Sequence, residues 1–470
     1  MIPWLVVLNK LIVAYFVVVL PFYGLLILAA LWSSARYRRT LKNRAFQQFR
    51  RSTLTPPVSI LVPTYNEELS AAESVRSLLR LDYPELEVVV INDGSRDDTL
   101  GVLCREFSLV PTRLAGRPEI PCSPIRELYV SSEEPRLLVI DKKNGGKSDA
   151  LNAGLNFARS PYFCTVDADV VLESDALLRV MAPVLDSRAL VIASGGIVRV
   201  ANGCQIEQGK VRQVHLPRKG VEVLQVVEYL RGFLFGREAW SALQSLLIIS
   251  GAFGVFSRRV ALEIGGYRRD TVGEDMDLVV RMHRHLREAG QPYRILFVPD
   301  PVCWTEVPSD FRTLARQRVR WQKGLLDVLW RHRRMLLNPR YGRPGLIGFP
   351  YQVMVELLGP VIELVGMASI LASAFVGLLS REAMLYLLLF GYLAGTIISV
   401  AAVLLEELTY RRYASIRDLL RLLAYTFLDF FPYRQFLIVC RIWGLVDYFR
   451  RPHSWGAQRR KGFAPQTVER

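Results

Sequence analysis

The chain has 470 residues, enough for one large or two ordinary domains, and 51% of them are hydrophobic, which is high for a soluble protein. Its formal net charge of +16 would suit a nucleic-acid partner. The arginines and lysines cluster beside apolar segments, however, where attraction to anionic lipid explains them. We therefore expect a lipid bilayer as a partner and no nucleic acid.

The N-terminal region contains an uncharged apolar run over residues 11–32. About 20 apolar helical residues cross a bilayer core of roughly 30 Å. The run is longer than the apolar part of a signal peptide and lacks a small-residue cleavage site, so we expect a retained transmembrane helix over residues 1–34. The basic linker 35–56 that follows predicts a multi-pass protein of the plasma (inner) membrane with the next domain in the cytoplasm.

From residue 57 the pattern changes to short β-branched runs that end in polar residues. The runs are VSILVPTYNE, LEVVVINDGS, RLLVIDKKNGGK and YFCTVDADV. Helical patterns cover residues 67–81 and the segment after Lys147. This alternation predicts a mostly parallel, Rossmann-like α/β sheet, whose ligands bind beyond the carboxyl ends of the strands.

Charged residues follow these strand ends at Asp93, Lys147, Asp167 and Asp169. Asp167 and Asp169 are hard oxygen donors of the kind that Mg²⁺ or Mn²⁺ prefers when it also binds phosphate, although a D-x-D pair taken alone more often marks a solvated strand end. Lys147 follows two glycines and precedes a helix start, which favours a bound anion; a solvated loop lysine is the alternative.

A third acidic motif, G-E-D at residues 273–275, precedes the helical pattern MDLVVRMHRHLREAG. Glu274 and Asp275 could simply stabilise the start of that helix through its dipole. The alternative is that Asp275 is a general base. His283 and His285 on the same helix are expected to be solvated and not metal ligands.

The proposed cytoplasmic domain covers residues 57–340, followed by transmembrane and interfacial helices over 341–449 and a basic cytoplasmic tail over 450–470. Residues 383–405 form an uncharged run. In the run 350–379, Glu356 and Glu363 share one helical face. This indicates that the face contacts protein or water instead of lipid. The alternative is that residues 350–363 lie at the membrane interface and that only the rest of the run spans the membrane. The charged segment 419–449 is expected to be interfacial or re-entrant.

The stretch RQRVRWQKG, residues 316–324, has two interpretations. It could be a membrane-surface anchor, with Arg316, Arg318 and Lys323 facing lipid and Trp321 at the interface. It could also bind a negatively charged group for chemistry.

The motifs N-D-G-S, D-A-D, G-E-D and Q-x-x-R-W, in this order, resemble those of the membrane-embedded processive family 2 glycosyltransferases. That family includes cellulose, hyaluronan, chitin and poly-N-acetylglucosamine synthases, and the resemblance runs from about Pro57 to Lys323. The segment 198–240 and the tail look closer to the poly-N-acetylglucosamine synthase branch. The chain departs from cellulose synthases in having G-E-D where they typically have T-E-D.

The resemblance implies a GT-A fold and an inverting, processive transfer of a sugar from a UDP-sugar donor to a β-linked polysaccharide. The sugar is expected to be N-acetylglucosamine. The growing polysaccharide is expected to be exported across the membrane. It implies that Asp275 is the catalytic base and that Asp169 is the ligand of Mg²⁺ or Mn²⁺. The residues that it assigns to substrate binding are Thr64, Tyr65, Glu67, Asp93, Lys147, Asp167, Glu274, Gln317, Arg320 and Trp321. A small accessory membrane subunit is a possible further partner.

Two other functions remain compatible with the sequence. One is a single-addition glycosyltransferase with a membrane-lipid acceptor, which the Q-x-x-R-W motif and the number of C-terminal apolar segments disfavour. The other is a non-catalytic subunit of a polysaccharide export complex, which the intact acidic motifs disfavour.

Overall fold

A computed structural model describes residues 2–42, 55–113, 119–187, 189–207, 209–410, 412–413 and 415–450. Their contacts divide the chain into two units. The first contains the N-terminal helix as far as Arg38, residues Leu216–Ser245, and the chain from Pro308 to Arg450. The second contains the described residues between Arg38 and Leu216, together with Leu246–Val307.

All strands of the described residues belong to the second unit. They are β1 (Val58–Thr64), β2 (Leu86–Asn92), β3 (Leu109–Thr112), β4 (Ile125–Ser131), β5 (Leu137–Lys142), β6 (Tyr162–Val166), β7 (Val170–Leu172), β8 (Val191–Val200), β9 (Gln205–Glu207), β10 (Lys210–Gln213), β11 (Phe253–Ser257) and β12 (Arg294–Thr305). One sheet has the order β3-β4-β5-β2-β1-β6-β11-β8-β12-β7, and β9 and β10 form a separate hairpin.

The centre of the large sheet is parallel. Strands β5, β2, β1 and β6 run in the same direction, with Thr64 opposite Asn92 and Asn92 opposite Asp141. Their residues are buried almost without interruption, as expected for parallel strands that are covered on both faces. The predicted Rossmann-like sheet is confirmed, with antiparallel neighbours beside this parallel centre. The register brings the carboxyl ends of the central strands to one edge.

Helices cover this sheet as the sequence predicted. They are Ala71–Leu79, Thr99–Glu106, Lys147–Phe157, Ala176–Asp186, Arg258–Glu263 and Glu274–Glu288. The last of these has three acidic residues in its first turn, Glu274, Asp275 and Asp277, where the helix dipole favours negative charge. The predicted helices at 67–81 and after Lys147 are both present.

The secondary structure of the first unit, in its described residues, is entirely helical. Its α-helices are Ile2–Lys42, Gly220–Tyr229, Glu238–Ala242, Phe311–Arg331, Phe349–Tyr351, Gly359–Phe375, Arg381–Thr409, Ile416–Leu428 and Arg434–Arg450. Its π-helical segments are Leu230–Arg237, Pro344–Gly348, Gln352–Leu357 and Asp429–Tyr433. Its 3₁₀ turns are Arg333–Met335 and Pro339–Tyr341. The helix Phe311–Arg331 begins at a capping Asp310, whose carboxylate accepts the N–H of Thr313 at 2.8 Å.

Two of the described helices are long and apolar enough to cross a membrane, over Pro3–Tyr37 and Arg381–Leu408. The pair Pro344–Leu357 and Gly359–Phe375, bent by 45°, would add a third if it forms one span. The helices Ile416–Leu428 and Arg434–Arg450 are not among these candidates, and the interfacial or re-entrant topology expected for residues 419–449 stays a prediction. The tail after Arg450 and most of the basic linker lie outside the described residues.

Glu356 and Glu363 contact protein side chains, as their shared face predicted. Arg434 donates to Glu363 Oε2 at 2.7 Å, and Arg441 donates to Glu356 Oε2 at 2.9 Å. The two arginines are also seven residues apart on one helix, so both pairs join the same two segments. Charges in an apolar unit are costly unless they are paired, and these are paired.

The predicted boundary of the cytoplasmic domain, 57–340, remains a prediction. Residues 216–245 and 308–340, which the sequence assigns to that domain, have their contacts grouped with the N-terminal and C-terminal helices. These segments carry no strand, so they do not contribute to the sheet.

His283 is buried, and the expectation that it is solvated was wrong. Its Nε2 donates to the carbonyl oxygen of Leu246 at 2.9 Å, and Nδ1 accepts from the hydroxyl of Tyr293 at 2.6 Å. The pKa of His283 is lowered to about 4, mainly by burial. The hydrogen bond to Leu246 acts in the opposite direction and raises the pKa, whereas the charge of nearby Arg287 lowers it. His285 is partly exposed and lies 3.0 Å from Glu263.

We expect His283 to make the folded state acid-sensitive. Its pKa is lower in the folded chain than in the unfolded chain, so the unfolded state binds more protons below about pH 6.5. The stability that neutral His283 contributes should fall as pH is lowered from about 6.5 towards 4, by up to about 1.4 kcal/mol per pH unit. Chemical denaturation in detergent at a series of pH values, for the wild type and His283→Gln, measures this contribution.

His285→Gln is the matched control, because its imidazole is more exposed on the same helix. The difference in unfolding free energy between wild type and His283→Gln should shrink on acidification, whereas the difference for His285→Gln should stay nearly constant. Parallel pH curves for the wild type and His283→Gln would contradict the assignment.

Candidate active site

A fully buried lysine, Lys142, lies at the end of β5 between two carboxylates. Its ammonium donates to Asp93 Oδ1 at 2.5 Å and to the carbonyl oxygen of Lys143 at 2.7 Å, and it lies 2.7 Å from Asp149 Oδ1. Asp93 follows β2, and Asp149 is in the first turn of the helix Lys147–Phe157. One cation therefore joins the ends of two neighbouring strands to the start of a helix.

The turn between β5 and that helix folds around Asp93. The Asp93 carboxylate accepts the N–H groups of Gly145 at 3.0 Å and Gly146 at 2.8 Å. A Cβ atom at Gly145 would lie 2.4 Å from Asp149 Oδ1, and Gly146 has a φ of +87°. Both glycines are thus required by close approach or by backbone conformation. The N-G-G part of the motif shapes the turn that precedes Lys147.

Asp149 is held in its ionised form by its neighbours. Burial opposes ionisation, but hydrogen bonds from Lys142, from the N–H of Ser123 at 3.0 Å and from Arg269 at 3.0 Å keep the pKa of Asp149 below its ordinary value. The buried charges at this edge of the sheet are therefore matched.

Lys147, the first residue of its helix, points towards the other acidic motifs. Its ammonium lies 2.5 Å from Asp167 Oδ1 and 3.4 Å from the carbonyl oxygen of Gly251. Desolvation alone would lower the pKa of Lys147, but the carboxylates of Asp167, Glu274 and Asp275 outweigh it and raise the pKa. Lys147 is thus a fixed cation surrounded by the predicted acidic residues.

Asp275 contacts Gly251 as well. Its Oδ2 accepts the N–H of Gly251 at 3.3 Å, and its Oδ1 accepts the N–H of Met276 at 2.8 Å. A Cβ atom on Gly251 would lie 3.3 Å from Lys147 Nζ and 3.8 Å from Asp275 Oδ2. The glycine therefore leaves open the space between the predicted anion-binding lysine and the predicted base.

The earlier motif residues lie at the end of β1, next to this edge. Thr64 is buried and donates its hydroxyl to the carbonyl oxygen of Ile91 at 3.1 Å. Glu67 accepts the hydroxyl of Ser70 at 2.6 Å, and Tyr65 is exposed. Of these three side chains, Tyr65 extends furthest into solvent.

Asp169 follows Asp167 in the short turn between β6 and β7. Among the described residues, no group of three or more His, Cys, Asp or Glu side chains is arranged to hold a metal ion. The Asp167–Asp169 turn supplies hard carboxylate oxygens, which fit Mg²⁺ or Mn²⁺ in a site where a ligand's phosphate oxygens and water complete the coordination.

The Q-x-x-R-W residues belong to the first unit. Gln317, Arg320 and Trp321 lie on the helix Phe311–Arg331, and Trp321 is 44% exposed. Two cations around them are not lipid-facing: Lys323 is buried and donates to Asp447 Oδ2 at 2.8 Å, and Arg318 is buried as well. The anchor interpretation is wrong for these two residues, because helices of the same unit cover them. Arg316 is exposed.

Sequence reasoning missed Lys142, Asp149 and Gly251. Lys142 stands beside the more conspicuous N-G-G-K motif, and a lone lysine after a strand reads as solvated. The available signal was the register of β2 and β5. Asp141 pairs with Asn92, so the residues that directly follow them, Lys142 and Asp93, also lie side by side. Gly251 carries no signal in isolation, because only the folded chain brings it between Lys147 and Asp275.

We expect Lys142→Met to destabilise the second unit strongly. Removing the cation leaves the buried carboxylates of Asp93 and Asp149 without their shared partner, and breaking a buried ion pair in this way costs about 3–5 kcal/mol. Lys143→Met is the control, because the neighbouring Lys143 is exposed. Thermal unfolding of the purified variants in detergent measures both effects, and equal midpoints for the two variants would refute the role given to Lys142.

Two family models match the chain. Residues 125–324 match a model described as glycosyltransferase like family 2, and residues 59–109 match glycosyl transferase family 2. Poly-beta-1,6-N-acetyl-D-glucosamine synthase of Staphylococcus epidermidis is 27% identical over 275 residues, which are 58% of this chain and 56% of that protein. The synthase of Staphylococcus aureus (strain COL) is 26% identical over the same shares. The chain thus spans little more than half the length of these curated relatives.

A solved structure is similar to most of the chain. It is the mannosyltransferase PcManGT from Pyrobaculum calidifontis in complex with GDP-Man and Mn²⁺, with a TM-score of 0.52, 21% sequence identity, and coverage of 94% of this chain and 99% of that one. This likeness concerns the fold. It agrees with the GT-A fold. The two family models and the synthase relatives identify residues 59–109 and 125–324 as family 2 glycosyltransferase sequence.

Proposed function

We propose that the protein is an inverting, processive polysaccharide synthase that transfers N-acetylglucosamine from a UDP-sugar to a growing β-linked polymer and exports the product. The named function of the Staphylococcus relatives supports the sugar and the product class. The candidate membrane helices support a multi-pass protein. The basic residues that follow the first of them support a second unit in the cytoplasm, where the donor would be.

The observation that carries the proposal is the arrangement around Gly251. Lys147 and Asp275 face the same glycine, and the absence of a side chain there leaves room between a cation and a carboxylate. A transfer that inverts the sugar needs these two groups: a cation where the diphosphate leaves and a base where the acceptor hydroxyl attacks.

The reaction follows from those positions. The acceptor hydroxyl attacks the anomeric carbon as the bond from that carbon to the diphosphate oxygen breaks. Asp275 takes the hydroxyl proton, a contribution of about 10²–10⁴-fold for general-base catalysis. Lys147, fixed by Asp167, stabilises the negative charge that develops on the departing UDP.

A divalent cation, Mg²⁺ or Mn²⁺, would bind at Asp169 together with oxygens of the donor. When bound, it would supply further positive charge for the diphosphate. Desolvation lowers the pKa of Lys147, but Asp167 and, after it, Glu274 raise it and would keep the lysine charged.

The remaining donor contacts would come from the ends of β1 and β2. Tyr65 is exposed and suited to contact the nucleoside, with Thr64 and Glu67 in the same segment. The carboxylate of Asp93 already accepts from Lys142 and from two glycine N–H groups. Asp93 would therefore contribute to nucleoside binding chiefly through the shape of the turn that it organises.

The acceptor is assigned to the Q-x-x-R-W residues. Trp321 offers an exposed aromatic face to a sugar ring, while Gln317 and Arg320 offer hydrogen-bond donors to hydroxyl and phosphate oxygens. This assignment rests on the resemblance and on the exposure of Trp321.

Incubation of the purified protein with a panel of UDP-sugars, with Mg²⁺ or Mn²⁺, tests the function. UDP release should be greatest with UDP-N-acetylglucosamine, and the product should be a polymer that a β-N-acetylglucosamine-specific glycosidase digests. A single sugar attached to lipid would instead identify the lipid-acceptor transferase. No UDP release with any donor would contradict catalysis altogether.

We expect Asp275→Asn to abolish transfer while UDP still binds. The amide cannot take the acceptor proton, so the rate should fall by roughly 10²-fold or more, whereas the affinity for UDP should change little. Asp270→Asn is the control, since Asp270 is an exposed acid shortly before the same helix. Near wild-type product formation by Asp275→Asn would remove Asp275 from the reaction.

Gly251→Val should also abolish transfer, for a steric reason. Its side chain would fill the space between Lys147 and Asp275, where even a Cβ atom is 3.3 Å from the lysine nitrogen. Gly232→Val is the control, because a Cβ atom there meets nothing within 4 Å. UDP release and thermal stability should be measured together: full activity of a folded Gly251→Val protein would show that the reaction takes place elsewhere.

A further inference from the structure

Arg318, an unassigned residue inside the Q-x-x-R-W motif, has a buried anchor in the first unit. It is 4% exposed, and its Nη2 donates to Glu228 Oε2 at 2.7 Å. Glu228, on the helix Gly220–Tyr229, also accepts the hydroxyl of Tyr433 at 2.7 Å. Arg318 is thus fixed to two other segments of the unit.

The same guanidinium contacts both outer residues of the motif. Its Nη1 donates to Gln317 Oε1 at 2.7 Å, and its central carbon lies 4.0 Å from the centroid of the Trp321 ring. A guanidinium at this distance over an indole is attracted to the ring face, more strongly where water is excluded. Arg318 therefore sets the orientation of Gln317 and of Trp321 at once.

This arrangement leaves particular groups free to bind a ligand. The guanidinium lies over one face of the Trp321 ring, and the residue as a whole remains 44% exposed. The Gln317 carbonyl is turned towards Arg318, so its amide N–H₂ is the part that can donate elsewhere. A flat apolar face beside an amide donor matches a pyranose ring, which has an apolar C–H face and hydroxyl groups at its edge.

We infer that Arg318 and Glu228 are positioning residues for acceptor binding: their buried ion pair fixes Trp321 and Gln317 in the orientation that receives a sugar ring of the acceptor polysaccharide. The inference rests on the proposed function. It goes beyond the motif residues, because Arg318 and Glu228 act on the acceptor only through Trp321 and Gln317.

The same helix provides a matched control. Lys323 is as buried as Arg318 and pairs with Asp447 at 2.8 Å, and residues two apart on a helix, such as Trp321 and Lys323, do not face each other. Lys323→Met therefore removes a buried cation and its ion pair without touching the stacked guanidinium. Arg316→Met removes an exposed arginine from the same stretch.

The test uses the full chain in detergent, as wild type, Arg318→Met, Glu228→Gln, Lys323→Met and Arg316→Met, each with and without Trp321→Phe. The fluorescence difference within each pair isolates Trp321, and its quenching by acrylamide is measured with and without an N-acetylglucosamine oligosaccharide. The KM values for this oligosaccharide and for UDP-N-acetylglucosamine are measured on the same proteins.

We expect the oligosaccharide to protect Trp321 in the wild type and in both control variants. In Arg318→Met the protection should be lost and the acceptor KM should rise about tenfold, as loss of a desolvated cation–π contact predicts, with the donor KM within about twofold. Glu228→Gln keeps a hydrogen-bond acceptor but loses the charge, so its acceptor KM should rise less.

Unchanged protection and acceptor KM in Arg318→Met would overturn the inference. So would an equal rise in acceptor KM in Lys323→Met, because the effect would then reflect general loss of a buried ion pair. If the wild type releases no UDP from any donor, the proposed function fails, and the quenching experiment alone decides whether Arg318 presents Trp321 to a sugar.

Discussion

The shared salt bridge of Lys142 with Asp93 and Asp149 is the interaction on which the proposed donor site depends. Two carboxylates buried this close would repel each other, and the lysine between them removes that repulsion. Once the three charges are joined, the ends of β2 and β5 and the start of the helix Lys147–Phe157 have fixed relative positions. The N-G-G turn then forms around Asp93, and Lys147 follows it in the direction of Asp167 and Gly251.

Paired charges also organise the helical unit. Arg434 with Glu363, Arg441 with Glu356, and Lys323 with Asp447 join helical segments of this unit. An unpaired charge there would be expensive, so each pair restricts which helix faces can meet. Arg318 follows the same rule through Glu228, and it additionally stacks on an exposed tryptophan. That extra contact distinguishes a pair that can act on a ligand from pairs that only join helices.

The four central strands, the helix after Lys147 and the acidic strand ends were predictable, because the spacing of hydrophobic residues and the polar residues that end each run are local properties of the sequence. The burial of Lys142 and His283 was not, because both lie beside polar residues in the sequence and are buried only by distant elements. The same reason explains Arg318 and Lys323, which are basic and close to apolar segments yet pair with Glu228 and Asp447. Gly251 is the simplest example of a site residue that the sequence does not predict, because its role exists only in the folded chain.

The most direct test of the central claim, donor binding between Lys147 and the acidic strand ends, is an experimental structure with UDP and Mn²⁺. We predict diphosphate density within hydrogen-bonding distance of Lys147, a metal ion bound to Asp169, and an open space beside Gly251 that leads to Asp275. Nucleotide density at another part of the molecule, with Lys147 still paired only to Asp167, would contradict the account.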